Sequence, residues 1–376
     1  MQYLVLFLLF GIPLLANPFM VLGYETPKVI VSEILIGVLS IALILKLNLD
    51  FFSHFDKKFI ILILGLFGIS AIHLFISLNP LIFFGNVIRL QGVYLFWHLL
   101  VFSTITSRMN ISQKNLRIAS LCSLGILAVS SLILWHPILN RSIGLIGEPN
   151  ALASVAIFIL PLTFYSRRII HKSISVILVA IILIVSGSQS GILAVLVLLA
   201  FLFCYKKLKY SLIRCAIISS ILIALSLFFP YIEQIMTTRE GFYFFENRFE
   251  VWQTAFAAGL NAPLFGHGFG TISDVLKQTA LQLSNNLRFQ VVDSSHNVIL
   301  DYWLQGGITA VIILFLLVGG AIIGLAKKNK VLELASFLAV STTLLFNPAS
   351  IPSLLAFWWL IGQGFSKRPT GNGPQV

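Results

Sequence analysis

The chain has 376 residues, 58% of them apolar and 10% charged, with a mean hydropathy of +0.98, whereas an ordinary soluble domain carries roughly 25% charged residues. That composition excludes a soluble enzyme or binding module. The net charge of +12 is no nucleic-acid signature, because Lys and Arg stand in short runs that punctuate apolar stretches.

Those stretches recur from end to end. In hydrocarbon every backbone N–H and C=O must be paired inside the protein, so each stretch reads as a helix; the short alternating segments of a transmembrane barrel do not occur. Spans are predicted near 3–23, 29–46, 59–78, 90–107, 116–134, 150–166, 173–187, 190–205, 212–231, 297–325, 332–346 and 353–365. Met1–Gly23 is too long for a signal-peptide core and has neither a basic start nor a clear cleavage site, so it is expected to remain as the first helix. The spans 173–187 and 190–205 form a hairpin turning at Ser186-Gly187-Ser188-Gln189-Ser190-Gly191. The fold class is all-α: a polytopic transmembrane helix bundle of about twelve helices, one integral membrane domain over 1–376. Cys122, Cys204 and Cys215 lack the paired spacing of a disulfide framework or a zinc motif.

Lys57-Lys58, Arg167-Arg168, Lys206-Lys207, Lys327-Lys328 and Lys367-Arg368 mark cytoplasmic loops by the positive-inside rule. With both termini cytoplasmic, 18 of the 25 basic residues lie inside; Lys28, Arg89 and Arg141 are the exceptions in short segments. Residues 232–297 then form one large extracytoplasmic loop. Phe242, Tyr243, Phe244, Phe245, Phe249, Trp252 and Phe256 exclude a disordered linker, and positions 245, 249, 252, 256 and 260 share a helical face opposite Glu250, Gln253 and Thr254. A short interfacial helix is expected there, its aromatic face toward lipid or the bundle. Asn261–Gly270 is a turn-rich stop, and 273–284 is a second short helix.

Residues able to do chemistry gather on the loop side. Ser294-Ser295-His296-Asn297 opens the tenth span. Two serines before an apolar run supply an N-cap, which puts His296 in the first turn, where the positive helix end favours neutral imidazole. A neutral imidazole accepts a proton from a sugar hydroxyl, and it equally serves to complete a cap. Arg248 is placed to meet a lipid diphosphate with a bidentate fork, or to snorkel. Arg141, Arg239 and Arg288 lie on the same side, and Arg89, near the outer end of the fourth span, joins the anion site. Asp301 lies off the face of His296, so a direct pair is not expected. Glu33, His73 and His98 are expected in interhelical hydrogen bonds. Gly266-His267-Gly268-Phe269-Gly270 lacks the GxGxxG spacing and the Walker lysine and reads as a turn. No acidic cluster points to a metal, and no cofactor is implied.

Arg248-Phe249-Glu250-Val251-Trp252, then Asn261 to Gly270, then His296-Asn297 with Gly307 after nine residues, resembles the O-antigen ligase and O-antigen polymerase superfamily. Arg248, ten residues and Gly259 are similar to an Arg-x10-Gly element of the polymerases, and Gly147-Glu148-Pro149-Asn150 is similar to the family's entry into its middle helices. The resemblance covers about 140–310 by motif and the remainder by topology. It implies a metal-independent glycosyltransferase of the bacterial inner membrane, its site facing the periplasm, in lipopolysaccharide or polysaccharide biosynthesis. The donor is a polyprenyl-diphosphate-linked glycan. The acceptor is a lipid A-core sugar in the ligases and another carrier-linked repeat in the polymerases. Carried over, His296 is the catalytic base or the group that orients the acceptor, and Arg248 stabilises the diphosphate leaving group; Arg141 or Arg89 is expected to stand in as a further diphosphate-binding arginine. Asn297, Asp301 and Gln189 support them, Gln189 standing where the family often has Arg.

The rival from another class is a lipid-linked oligosaccharide flippase or other transporter, which the helix number fits equally. A transporter would gather its charges near the bilayer midplane and show paired repeats; neither feature is visible in the sequence.

Overall fold

The computed structural model describes residues 1–16, 24–45, 55–77, 80–86, 89–136, 140–236, 248–289 and 292–366. Helices run in the order α1 Gln2–Leu14, α2 Glu25–Ile44, α3 Lys57–Ser77, α4 Pro80–Phe84, α5 Val93–Thr106, α6 Gln113–Ile133, α7 Pro149–Thr163, α8 Ile169–Ser186 and α9 Gln189–Lys206. They continue with α10 Leu212–Ser226, α11 Phe229–Met236, α12 Arg248–Leu260, α13 Ile272–Gln282, α14 Val298–Lys327, α15 Val331–Leu344 and α16 Ile351–Phe365. Strands β1 Trp135–His136 and β2 Arg141–Ser142 make a two-residue antiparallel ladder between α6 and α7.

Among the described residues, seven helices are long and apolar enough to cross a bilayer: α2, α3, α6, α8, α9, α10 running on into α11, and α14. Five shorter apolar helices, α1, α5, α7, α15 and α16, fall where the remaining spans are expected. Outward faces carry apolar side chains such as Ile34, Ile41, Ile61, Phe75, Ile184 and Leu196. On a soluble protein so much exposed apolar surface would be a liability; against lipid it is the ordinary condition. The first helix falls short of the expected 3–23: it widens through a π turn, tightens through a 3-10 turn holding Pro13, and the backbone is extended by Leu15. Positions 17–23 lie outside the described residues.

The centre belongs to short helices. α15 packs on α7 and α9, and α16 on α14 and α5. α7, α15 and α16 are buried on nearly every side, as helices without a polar face must be. At 14 or 15 residues each they reach about 21–23 Å, against roughly 30 Å of hydrocarbon. Their ends are therefore buried, and the free backbone groups there need partners. Glu25 Oε2 accepts from Ile351 N–H at 2.9 Å, and Ser350 Oγ accepts from Ser353 N–H.

The loop side is ordered by a break in α14. Gly307 has φ +64° and ψ −165°, a conformation that only glycine adopts without strain. The backbone groups released around it are taken up by the turn after α12. Ile308 N–H donates to the Pro263 carbonyl at 2.8 Å, His267 N–H to Leu304 at 2.7 Å and Gly268 N–H to Gln305 at 3.0 Å. A methyl group at Gly307 would sit 2.4 Å from the Leu264 carbonyl carbon, and one at Gly259 would sit 1.5 Å from Trp303 Nε1. Both motif glycines are thus packing requirements. The glycines of 266–270 form a turn, and the second short helix is α13.

Of the two orientations expected, α12 takes the one with the aromatic face outward. Its buried stripe is Arg248, Val251, Ala255, Ala258 and Gly259, while Phe256 and Leu260 are exposed and Phe249 and Trp252 half-buried. Thr254, expected on the polar face, is fully buried and donates to the Glu250 carbonyl. Small residues let α12 approach α14 closely, and the aromatic side chains are left on the outside. Phe245 lies outside the described residues.

Candidate functional site

The segment before α14 is held by one carboxylate. Asp301, in the first turn of α14 and buried, accepts from Ser294 Oγ at 3.0 Å, Ser295 N–H at 2.8 Å and Ser295 Oγ at 2.6 Å. Ser294 Oγ in turn accepts from His296 N–H at 3.0 Å. The N-cap of α14 is therefore not a serine: Asn297 Oδ1 accepts from Ile299 and Leu300 N–H, and His296 lies outside the helix rather than in its first turn. With the serines engaged on Asp301, the next residue with a short polar side chain takes the cap. His296 has φ +58°, the left-handed region that disfavours a side-chain-bearing residue; the bonds to Asp301 and Ser294 hold it there.

That backbone geometry delivers the imidazole to Arg248, the first residue of α12, whose guanidinium Nη1 lies 2.9 Å from His296 Nδ1 and also donates to the Phe346 carbonyl. A guanidinium only donates, so Nδ1 is an acceptor and a neutral ring carries its proton on Nε2. Burial pushes the His296 pKa down to about 3, with the charges of Arg248 and Arg89 adding to the shift. The neutral imidazole expected from the sequence follows, with burial as its main cause. In this arrangement the ring keeps its N–H on Nε2, and the nitrogen able to accept a proton is occupied by Arg248.

The other sequence-designated residues fall around this pair without joining it directly. Arg89 donates through Nε to Asp293 and through Nη1 to the Ala349 carbonyl at 3.3 Å. Arg141 donates to the Ser186 carbonyl at 2.6 Å, the Gly187 carbonyl at 3.2 Å and Asn150 Oδ1 at 3.0 Å. It ties the α8–α9 hairpin turn to the start of α7. Gln189 opens α9 and is half-buried. Asp301 touches the backbone around His296, and no bond joins the two side chains among the described residues. His73 and His98 bond the Ile69 and Tyr94 carbonyls one turn back in their own helices, and among the described residues neither bonds a neighbouring helix. Arg239 and the Arg288 side chain lie outside the described residues.

Sequence reasoning missed the link between α15 and α16. Its Phe346 and Ala349 carbonyls receive Arg248 and Arg89; Ala349 also accepts from Gln91 Nε2 at 2.7 Å, and Asn347 Nδ2 donates to Ser190 Oγ at 2.6 Å. The available signal was Asn347-Pro348, a turn dipeptide between two apolar runs. Glu148 was also passed over as a site residue. Burial raises its carboxyl above the usual range, against the pull of Arg89 and Arg248, which places it within their field. Lys28, counted as a loop charge, is wholly buried on the Tyr24, Leu145 and Ile146 carbonyls.

A family model described as O-antigen ligase matches residues 174–315, a stretch that takes in the hairpin turn, Arg248, Gly259, the 261–270 turn, His296 and Gly307. The resemblance read from the motifs holds over that stretch. No curated protein matches the chain.

Proposed function

We propose, on the premise of its O-antigen ligase segment, that this chain transfers a glycan from a polyprenyl-diphosphate carrier to a sugar hydroxyl at the outer leaflet of a bacterial inner membrane. The observation that carries the proposal is the contact of Arg248 with His296 Nδ1. One residue suited to a diphosphate and one suited to a hydroxyl proton touch at the buried end of the loop. Topology with both termini cytoplasmic and a bundle of about twelve spans goes with this assignment. A lipid A-core sugar and a second carrier-linked repeat are the two acceptors in view.

The geometry supports an order of events. The donor's diphosphate draws Arg248 off the imidazole, because a guanidinium pairs more strongly with phosphate oxygens than with a neutral ring nitrogen. Nδ1 is then free, and the anion beside it favours the imidazolium. The acceptor hydroxyl gives its proton to Nδ1 as its oxygen bonds the anomeric carbon. The anomeric carbon–oxygen bond to phosphate breaks, and the charge gathering on the departing diphosphate is stabilised by Arg248. Proton and electron pairs balance without a further reactant. Arg89 and Arg141 supply background positive potential, their donors being turned to Asp293, Ala349 and the hairpin carbonyls.

The test is purified protein with a polyprenyl-diphosphate glycan and candidate acceptors, scored by product mass. His296→Ala is expected to abolish transfer while leaving expression and membrane insertion unchanged. Full activity in that variant would remove His296 from the mechanism.

A further inference from the structure

A cavity of about 80 Å³ lies beside the His296 turn, walled by α5, α14 and α16 and rimmed by Asn86, Arg89, Gln91, Gly270 and Ser273. Ser294 and Asp301, which hold the His296 backbone, form one of its walls; Arg248 and His296 do not line it. A closed apolar cavity of about 150 Å³ holds one benzene, so this half-open pocket receives one edge of a ring whose remainder stands in its mouth.

Three features of the lining define what belongs there. The first is charge: Arg89 is already matched by Asp293, which leaves Asp301 in the wall, so an anion is disfavoured. The second is a set of aromatic faces: Phe96 and Phe269 stack at 4.3 Å, with Tyr302 edge-on to both and Trp358 edge-on to Phe96. The third is unused hydrogen-bonding capacity. The Trp358 indole N–H, on a residue 0% exposed, has no acceptor among the described residues. The Tyr302 hydroxyl, on a residue 6% exposed, makes no hydrogen bond within the described residues. Buried donors are rarely left unmatched in a stable fold. Aromatic faces with isolated donors and amides at the rim suit a molecule with C–H faces and hydroxyl edges.

We propose that this cavity is a subsite for one uncharged sugar ring, seated against the Ser294–Asp301 wall next to the transfer centre. The assignment rests on the glycan-transfer reading above. The ring belongs either to the donor glycan or to the acceptor, which share this chemistry.

The experiment is titration of the detergent-purified full chain with methyl hexosides, N-acetylhexosamines and hexuronic acids, followed by saturation-transfer NMR and calorimetry. Neutral sugars are expected to bind, with hexuronic acids at least about tenfold weaker because they face Asp301. Tyr302→Phe and, at the rim, Asn86→Ala should each weaken neutral-sugar binding by about tenfold, the scale of one hydrogen bond lost, with unchanged thermal midpoints. Competition by a carrier-linked glycan assigns the ring to the donor, and competition by the acceptor glycan assigns it to the acceptor. Absence of binding, equal binding of uronic acids, or unaltered affinity in both variants overturns the subsite and leaves the cavity to water. A wild-type chain that binds sugars in this way yet transfers no glycan keeps the subsite and defeats the transfer proposal. Transfer without such binding does the reverse.

Discussion

Replacing Asp301 tests whether the histidine is delivered by its backbone. The carboxylate accepts three hydrogen bonds from Ser294 and Ser295, and together with Ser294 it keeps His296 at φ +58°. A side-chain-bearing residue in that region is disfavoured by about 1–2 kcal/mol. Asparagine keeps the size of the side chain but offers one acceptor oxygen instead of two, so the turn is released toward negative φ. At 1.4 kcal/mol per factor of ten, the population with the imidazole at Arg248 falls about five- to thirtyfold. In Asp301→Asn, kcat for glycan transfer at saturating donor should fall by that factor, because α12 and Arg248 are untouched while the imidazole is no longer held. Asp301→Glu, which restores two oxygens on a longer arm, should recover part of the loss. A wild-type kcat in Asp301→Asn, or a change confined to KM, would refute the claim that this carboxylate positions the base.

Other consequences can be measured independently. Arg248→Lys should lose transfer by at least about a hundredfold, since a single ammonium cannot stabilise the leaving group as a fork does; near-normal rates would show that planar recognition is unnecessary. Because His296 has a folded pKa of about 3 against an ordinary 6.5, the unfolded chain binds a proton below pH 6.5 that the folded chain refuses until about pH 3. The stability from this residue is thus present above pH 6.5 and lost as pH falls toward 3. The thermal midpoint in detergent should drop from pH 7 to pH 4.5, less steeply in His296→Gln; equal slopes would contradict the burial of the ring. Gly259→Ala should destabilise the loop through its clash with Trp303, read as faster proteolysis in 237–289, and unchanged cleavage would show that the indole moves aside freely. Arg141→Lys should lower the thermal midpoint with little effect on donor KM, because its donors are spent on the hairpin; a large KM effect would return it to the anion site.

Much of the architecture was legible because hydrocarbon imposes one solution on an apolar run, and the basic runs and Gly-rich turns bound those runs cleanly. The pairing of Arg248 with His296 was legible only through the motif spacing, since 48 residues separate them. Local chemistry misled at the cap: Ser294, Ser295 and Asn297 are all good capping residues, and only the bonds of Asp301 decide among them. The face of α12 was ambiguous for a different reason. In water Phe256 and Leu260 would turn inward; in lipid they lose nothing by facing out, and close helix packing selects Ala255, Ala258 and Gly259 instead. Asn347-Pro348 marks the 345–350 link as a turn, but its bonds to Arg248 and Arg89 run through carbonyl oxygens, which leave no mark on residue type.

The seam between Gly307 and the 263–268 turn bears on how the donor can be admitted. Arg248 and His296 both stand on the portion of chain stitched to α14 across that break, whereas Phe346 belongs to the link between α15 and α16. A swing of the whole portion would carry the two side chains together and leave them in contact. Separating them calls for a torsional change within the guanidinium arm itself, drawn by the incoming anion.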